Sequence, residues 1–495
     1  MKMKTKKTPR TPTLLESLFP ILTMVVLLGG GYAAFDLPPE PLMVLSTVVA
    51  GLLVKRLGYQ YDEILTAISQ KIAKTMPALL ILISVGLLIG TWMIGGTIPL
   101  MISYGLKMIS PTMLYVTALL VTSLVSVCTG TSWGSAGTIG VAFMGVAVGM
   151  DANLAATAGA VVAGAYFGDK LSPLSGDTNL AAMAAQVDLY QHIWHLLYTT
   201  LPSLIITAIV MTVYGMNGDL AAQGVPEKVT LITNALENVY NFNLILLIPV
   251  IVILYGSITK KPTIPIMLAS AAIAMANAYF IQNFGLHDIV KSAVDGFNVS
   301  MIQNKEVPDL LSNLLNRGGM NSMMSTLLIC FCALSFAGTL SLSGALEVIV
   351  HALLKMVHST GSMIVATIVC GLTMIGVTCN GQISILIPIE MLRGAYIERG
   401  LHPKTLARTV EDSATIFEPI LPWTAAGAYM AGTLGVATLS YLPWAILCWS
   451  GIFFAMLWGF TGIGIARLTP EEQEEMTTEL EAHSESHSEL QLETK

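Results

Sequence analysis

Apolar runs broken by short polar stretches dominate this chain, and that pattern sets its class. Runs at 18–35, 78–98, 264–281, 323–342 and 442–465 approach or exceed the roughly 20 residues that carry a helix across hydrocarbon. The pattern predicts an all-α polytopic membrane protein with about 11–13 membrane segments. The first run is too long, and lacks the small-residue cleavage site, for a removable signal peptide, so it is expected to stay as a first helix.

The polar interruptions recur. Ile89-Gly90-Thr91-Trp92 is echoed by Ala337-Gly338-Thr339-Leu340, and Thr129-Gly130-Thr131-Ser132 by Thr378-Cys379-Asn380-Gly381. Leu171-Ser172-Pro173-Leu174 reads against Phe417-Glu418-Pro419-Ile420, and Leu201-Pro202 against Leu442-Pro443. The offsets are 248, 249, 246 and 241 residues, which places Glu418 at the repeat position of Ser172. A duplicated hydrophobic unit interrupted by Gly, Ser and Thr points to a secondary transporter whose site lies between the repeats, with one broken or re-entrant segment in each.

Composition agrees with the membrane class: 54% of residues are hydrophobic and 11% charged, against about 25% charged in soluble chains. The net charge of −7 is concentrated in residues 471–495, which hold nine Glu and one Lys. Lys2, Lys4, Lys6, Lys7 and Arg10 place the N-terminus in the cytoplasm. Asp219, Glu227 and Glu237 against Lys228 suit an external linker, and Lys260-Lys261 an internal turn. The resulting domain organisation is a basic cytoplasmic N-terminus (1–13), repeat one (14–216), an external linker (217–241), repeat two (242–466) and an acidic, disordered cytoplasmic tail (467–495). The repeats are then inverted, with both termini cytoplasmic. The six Cys make no metal-type CxxC pair, so neither disulfides nor a structural metal is expected, and His483 and His487 read as part of a solvated tail.

The stretch 129–138 contains three Gly and five hydroxyl residues, too polar for a lipid-facing helix. Its alternative is a close helix–helix contact of the small-residue kind. Residues 129–135 and 378–384 are expected to be non-helical and to face each other. Thr129, Thr131 and Ser132, with Asp169, Ser172, Asp177, Thr178 and Asn179 of the next polar stretch, supply the oxygens a sodium ion needs. The alternative there is a solvated loop with an Asp169–Lys170 surface pair. In repeat two, Thr378, Asn380, Gln382, Glu411, Asp412, Glu418 and Thr424 are the substrate and proton candidates. Glu418 sits among Phe417, Pro419 and Ile420, where desolvation favours the protonated carboxyl. Glu411 and Asp412 also fit helix N-terminal capping or a salt bridge with Arg408. No P-loop, nucleophile elbow, dinucleotide fingerprint or basic nucleic-acid patch is present, which disfavours an enzyme or a nucleic-acid binder. A channel would need a continuous polar path in place of two isolated sites.

Residues 130–142, Gly168-Asp169-Lys170-Leu171-Ser172-Pro173-Leu174-Ser175, Thr409-Val410-Glu411-Asp412, Pro422-Trp423 and 431–436 resemble the NhaC-type sodium/proton antiporter family of the ion transporter superfamily. The resemblance spans about residues 14–465. It implies sodium-coupled antiport in the cell membrane, with sodium and protons as the transported or coupling ions and no cofactor. It also implies an elevator-type arrangement of scaffold and moving region, and makes a homodimer reasonable. Some members exchange small organic acids such as malate for lactate, or amino acids. Asp177, one position later than the family's usual carboxylate, and Glu418, where the family often has a small residue, leave room for such a substrate.

Overall fold

The computed structural model describes residues 9–35, 37–217, 225–259, 261–302 and 309–478. Among these residues the only β pairing is two isolated bridges, Phe297 with Arg317 and Leu401 with Arg467; the rest of the regular structure is helix. Eight described helices are long and apolar enough to cross a membrane, or nine if Val229–Val239 and Leu244–Ile258, bent by 100°, form one span. The count is lower than the apolar runs predict because several other helices are less apolar, more charged or shorter. Leu154–Leu171 is rich in Ala and Gly, Gly381–Glu398 carries Glu390, Arg393 and Glu398, and Ile446–Thr461 has 16 residues.

The helices that build the site are α1 (Tyr61–Ile94), α2 (Leu114–Thr129), α3 (Leu154–Leu171), α4 (Gly176–Ala185) and α5 (Leu189–Asn217) in repeat one. Repeat two supplies α6 (Thr360–Thr378), α7 (Gly381–Glu398), α8 (Pro403–Val410), α9 (Ala425–Leu434) and α10 (Ile446–Thr461). One buried core gathers α1, α2, α3 and α9, and a second gathers α6, α7 and α8 with Ala181 and Ala185 of α4.

One constant offset of 249 residues superposes the site-forming parts of the repeats. Helix α4 begins at Gly176 and ends at Ala185; α9 begins at Ala425 and ends at Leu434. Their N-caps are Ser175 and Thr424, and their left-handed C-caps are Gln186 and Gly435. Asn153 caps α3 as His402 caps α8. This register corrects two alignments drawn from motif resemblance. Glu418 corresponds to Asp169 and not to Ser172, and Pro202 does not match Pro443. The Ser-Pro and Glu-Pro dipeptides look alike, but hydrogen bonding sets the register. Ser172 N donates to Asp169 O at 3.0 Å, and Leu421 N donates to Glu418 O at 3.1 Å.

Close backbone approach explains several interior glycines. Gly319 N donates to Gly86 O at 2.7 Å, and Ser292 Oγ to Gly90 O at 2.8 Å. A Cβ on Gly90 would stand 2.2 Å from Ser292 O, so α1 accepts this turn only because the position is bare.

Two boundaries differ from expectation. Val225–Val239 within the expected linker is a helix, tied by Lys107 Nζ to Glu237 Oε1 at 2.5 Å, while 218–224 lie outside the described residues. The tail begins with a helix at 470–478 that is docked, Gln473 Nε2 donating to Ile397 O at 2.9 Å. That part is therefore not the disordered segment its acidity predicts. Residues 1–8 and 479–495, with His483 and His487, lie outside the described residues.

Candidate functional site

Each repeat breaks a membrane helix in the same way. Helix α2 ends at Thr129, Gly130 turns left-handed (φ 65°), and Thr131 caps the next helix by accepting from Gly134 N. Helix α6 ends at Thr378, Cys379 turns left-handed (φ 54°), and Asn380 caps α7 by accepting from Ile383 N. The non-helical part is thus two residues in each repeat, shorter than the seven expected at 129–135 and 378–384. The hydroxyl groups there do not stop the helix; they cap it and bond back to the preceding turn.

Between the breaks lies a cavity of about 550 Å³. Thr129, Thr131, Ser132, Asp169 and Asp177 line it from repeat one, and Asn380, Gln382 and Glu418 from repeat two. Asp169 arrives there because α3 packs on α2 almost backbone to backbone. A Cβ on Gly168 would stand 2.3 Å from Ser123 O, and Ser126 Oγ donates to Ala165 O at 2.6 Å. The Asp169 carboxylate accepts from Ser132 N at 3.1 Å, at the start of the half-helix after the first break. Glu418 occupies the equivalent place: its carboxylate faces the N–H groups of Gly381, 249 positions after Ser132, and of Ala426. Helix N-termini favour negative charge, so both carboxylates are anchored by backbone dipoles. A Cβ on Gly381 would stand 2.8 Å from Glu418 Oε2 and 3.8 Å from Asp177 Oδ2, which shows how closely these two acids approach.

Other candidates are held away from the cavity by the bonds that build the hairpins. Ser172 Oγ donates to Val127 O at 2.7 Å and accepts from Leu174 N at 3.2 Å. Thr178 Oγ1 donates to Lys170 O at 3.0 Å, and Asn179 Nδ2 to Pro173 O and Ser175 O at 2.9 and 2.6 Å. Thr424 Oγ1 donates to Glu418 O at 2.7 Å, and Thr378 Oγ1 shares a hydrogen bond with Ser384 Oγ at 2.8 Å.

Glu411 and Asp412 neither cap a helix N-terminus nor form a salt bridge with Arg408. They open a π-turn, Glu411–Thr415, closed by Ile416 N donating to Glu411 O. Such bulges inside helices cluster at functional sites. Glu411 Oε1 lies 2.6 Å from His192 Nε2, and Asp412 Oδ1 takes Lys170 Nζ and Thr199 Oγ1. Arg408 donates Nη1 to Gly464 O at 2.6 Å. Lys170 is accordingly buried and not half of a surface pair with Asp169. The buried His192–Glu411 contact and the buried Lys170–Asp412 ion pair both join the two repeats. Removing one partner of such a pair leaves an uncompensated charge.

Sequence reasoning missed His192, Lys170 in this role, and the aromatic wall in which Trp133 stacks on Tyr429 at 4.2 Å. His192 and His195, three apart on the apolar α5, carried a usable signal, since an ionisable group inside a membrane helix is a functional candidate. The Trp133–Tyr429 stack spans nearly three hundred positions and leaves no local trace.

The profile of the Na+/H+ antiporter family matches residues 42–194 and 164–463. An uncharacterized Na(+)/H(+) antiporter of Haemophilus influenzae is 71% identical over 466 residues, covering 94% of this chain and 100% of the relative. The malate-2H(+)/Na(+)-lactate antiporter of Bacillus subtilis is 35% identical over 461 residues, 92% of this chain and 96% of the relative. The Na(+)/H(+) antiporter NhaC of Alkalihalophilus pseudofirmus is 33% identical over 432 residues, 87% and 91% of the two chains.

Proposed function

The chain belongs to the Na+/H+ antiporter family of secondary active transporters, and from that premise we propose that it exchanges sodium for protons at the cavity between its two broken helices. The supporting observation is a charge imbalance. The cavity lining carries three carboxyls, Asp169, Asp177 and Glu418, against two exposed lysines, Lys74 and Lys261, and none of the three acids forms a salt bridge among the described residues. A low-dielectric interior does not hold such an excess of negative charge uncompensated, so protons or a bound cation must neutralise it. Both are then drawn to the same carboxyls, and competition between them is what exchange requires. In this reading Asp169 and Asp177 ligate sodium with oxygens of the first break. Glu418, buried at the second break, carries the competing proton. The protein sits in the plasma membrane with both termini cytoplasmic, and its core moves as an elevator.

A second reading is favoured by size. A cavity of about 550 Å³ is in the range of organic-ligand sites and far larger than one cation needs. Exposed Lys74 and Lys261 stand on its lining, suited to a small carboxylate carried with the cation, as the name of the Bacillus subtilis malate/lactate relative suggests.

Flux in proteoliposomes separates these readings. Sodium-driven proton movement without organic solute supports the first; strict dependence on a carboxylate supports the second. Glu418→Gln keeps size and hydrogen bonding but cannot titrate. It is expected to bind sodium and lose the pH dependence of transport, and an unchanged pH profile would move the proton role to another acid.

A further inference from the structure

We propose that His192 and Glu411 form a proton relay that leads from the cation cavity along α5 toward His195, by a route distinct from that of sodium. The inference rests on the sodium/proton reading above, because it supplies the proton's path. Beside the large cavity lies a chamber of about 10 Å³, the volume of about one water molecule. Asp169 and Asp177 line both spaces, and Glu411, Lys170 and Thr415 close the far side of the small one. A proton fits this passage and a sodium ion with its ligands does not.

Beyond the chamber the path continues through named atoms. Glu411 Oε1 lies 2.6 Å from His192 Nε2, and both side chains are at most 1% exposed. His192 Nδ1 has no hydrogen-bond partner among the described residues. One turn along α5, on the same face, His195 Nε2 shares a 3.3 Å hydrogen bond with Thr405 Oγ1, which accepts from Ala466 N at 3.1 Å near the end of the bundle. The transfer is balanced. The Nε2 proton passes to Glu411 Oε1, Nδ1 takes a replacement proton from a water molecule, and no heavy-atom bond changes.

The surroundings suit a relay better than a fixed strut. Lys170 on α3 and Thr199 on α5 are engaged with Asp412, so Asp412 carries its own compensating charge. The other titratable or charged groups on elements packed against α5 are Tyr115 and Cys128 on α2, Tyr166 and Asp169 on α3, Asp177 on α4, His402, Lys404 and Arg408 on or capping α8, and Cys448 on α10. None of these bonds His192 Nδ1. At the equivalent positions of the other repeat, 249 residues away, stand Tyr441 for His192 and Val162 for Glu411, so the pair is not required by the repeated fold.

The test compares two fluxes in proteoliposomes of the full chain, wild type and His192→Gln. Sodium–sodium exchange at equal pH should stay within about twofold, whereas sodium-driven proton movement should fall about 100-fold and lose its pH dependence. Wild-type protein that moves no protons with sodium refutes the exchange reading itself. Wild-type coupling that persists in His192→Gln overturns the relay alone, as does loss of both fluxes together. If the variant fails to fold, the ring ¹⁵N shifts of His192 in wild-type protein decide. A change of protonation on sodium addition supports the relay, and invariant shifts overturn it.

Discussion

The two broken helices share a backbone and differ in chemistry. At one offset, Gly130 and Cys379 take the left-handed turn, Thr131 and Asn380 cap the succeeding helix, and Asp169 and Glu418 face the freed N–H groups. Around this shared device the repeats diverge. Repeat one places a second cavity acid, Asp177, on α4, where repeat two has Ala426. Repeat two places Glu411 and Asp412 on a π-turn, where repeat one has Val162 and Ala163. The partners of those acids, His192 and Lys170, come from repeat one. Duplication thus provided the geometry twice, and divergence gave one half the second cavity acid and the other the buried, paired ones.

The sharpest way to break this comparison is at the buried cross-repeat pair. Lys170→Met leaves Asp412 charged and uncompensated, and is expected to destabilise the protein by about 3–5 kcal/mol. The double variant Lys170→Met with Asp412→Leu should recover most of that loss, and thermal unfolding in detergent measures both. If the single and double variants unfold alike, the pair does not join the halves.

Next in size is the contrast between the two helix-anchored carboxylates. Asp169→Asn should weaken apparent sodium affinity on the order of 100-fold, as expected for losing a charged ligand a few ångströms from the ion. Glu418→Gln should change affinity much less and flatten the pH profile instead. Equal effects of the two substitutions on sodium affinity would mean that the halves have not divided these roles.

The smallest effects concern the turns. Gly130→Ala imposes a left-handed conformation on a residue with a Cβ, and that Cβ would stand 2.6 Å from Leu174 Cβ. A loss of about 1–2 kcal/mol or more is expected. Cys379→Gly relieves the same conformation in repeat two and should stabilise by up to about 1 kcal/mol. Opposite shifts in unfolding temperature are the signature; shifts of one sign would show that the turns are not equivalent.

Much of this molecule is legible in one dimension. The membrane class, the duplication, and the places where helices break are local properties of hydropathy and of Gly, Ser and Thr content, so apolar runs and interruptions report them directly. Glu418 stood out because a carboxylate in an apolar setting is conspicuous wherever it ends up, and Asp169 and Asp177 because they fall together in one polar stretch of an otherwise apolar half. Tertiary packing alone decided which oxygens reach the cavity. Ser172, Thr178, Asn179 and Thr424 have the right chemistry, yet their hydrogen bonds are spent on their own hairpins. It also decided the register that pairs Glu418 with Asp169, because hydrogen-bonded caps, and not look-alike dipeptides, align the repeats. The couplings of His192 with Glu411 and of Lys170 with Asp412 cross more than two hundred residues. No periodicity or spacing encodes such contacts; they exist only once burial forces each charge to find the one partner the packing brings within reach.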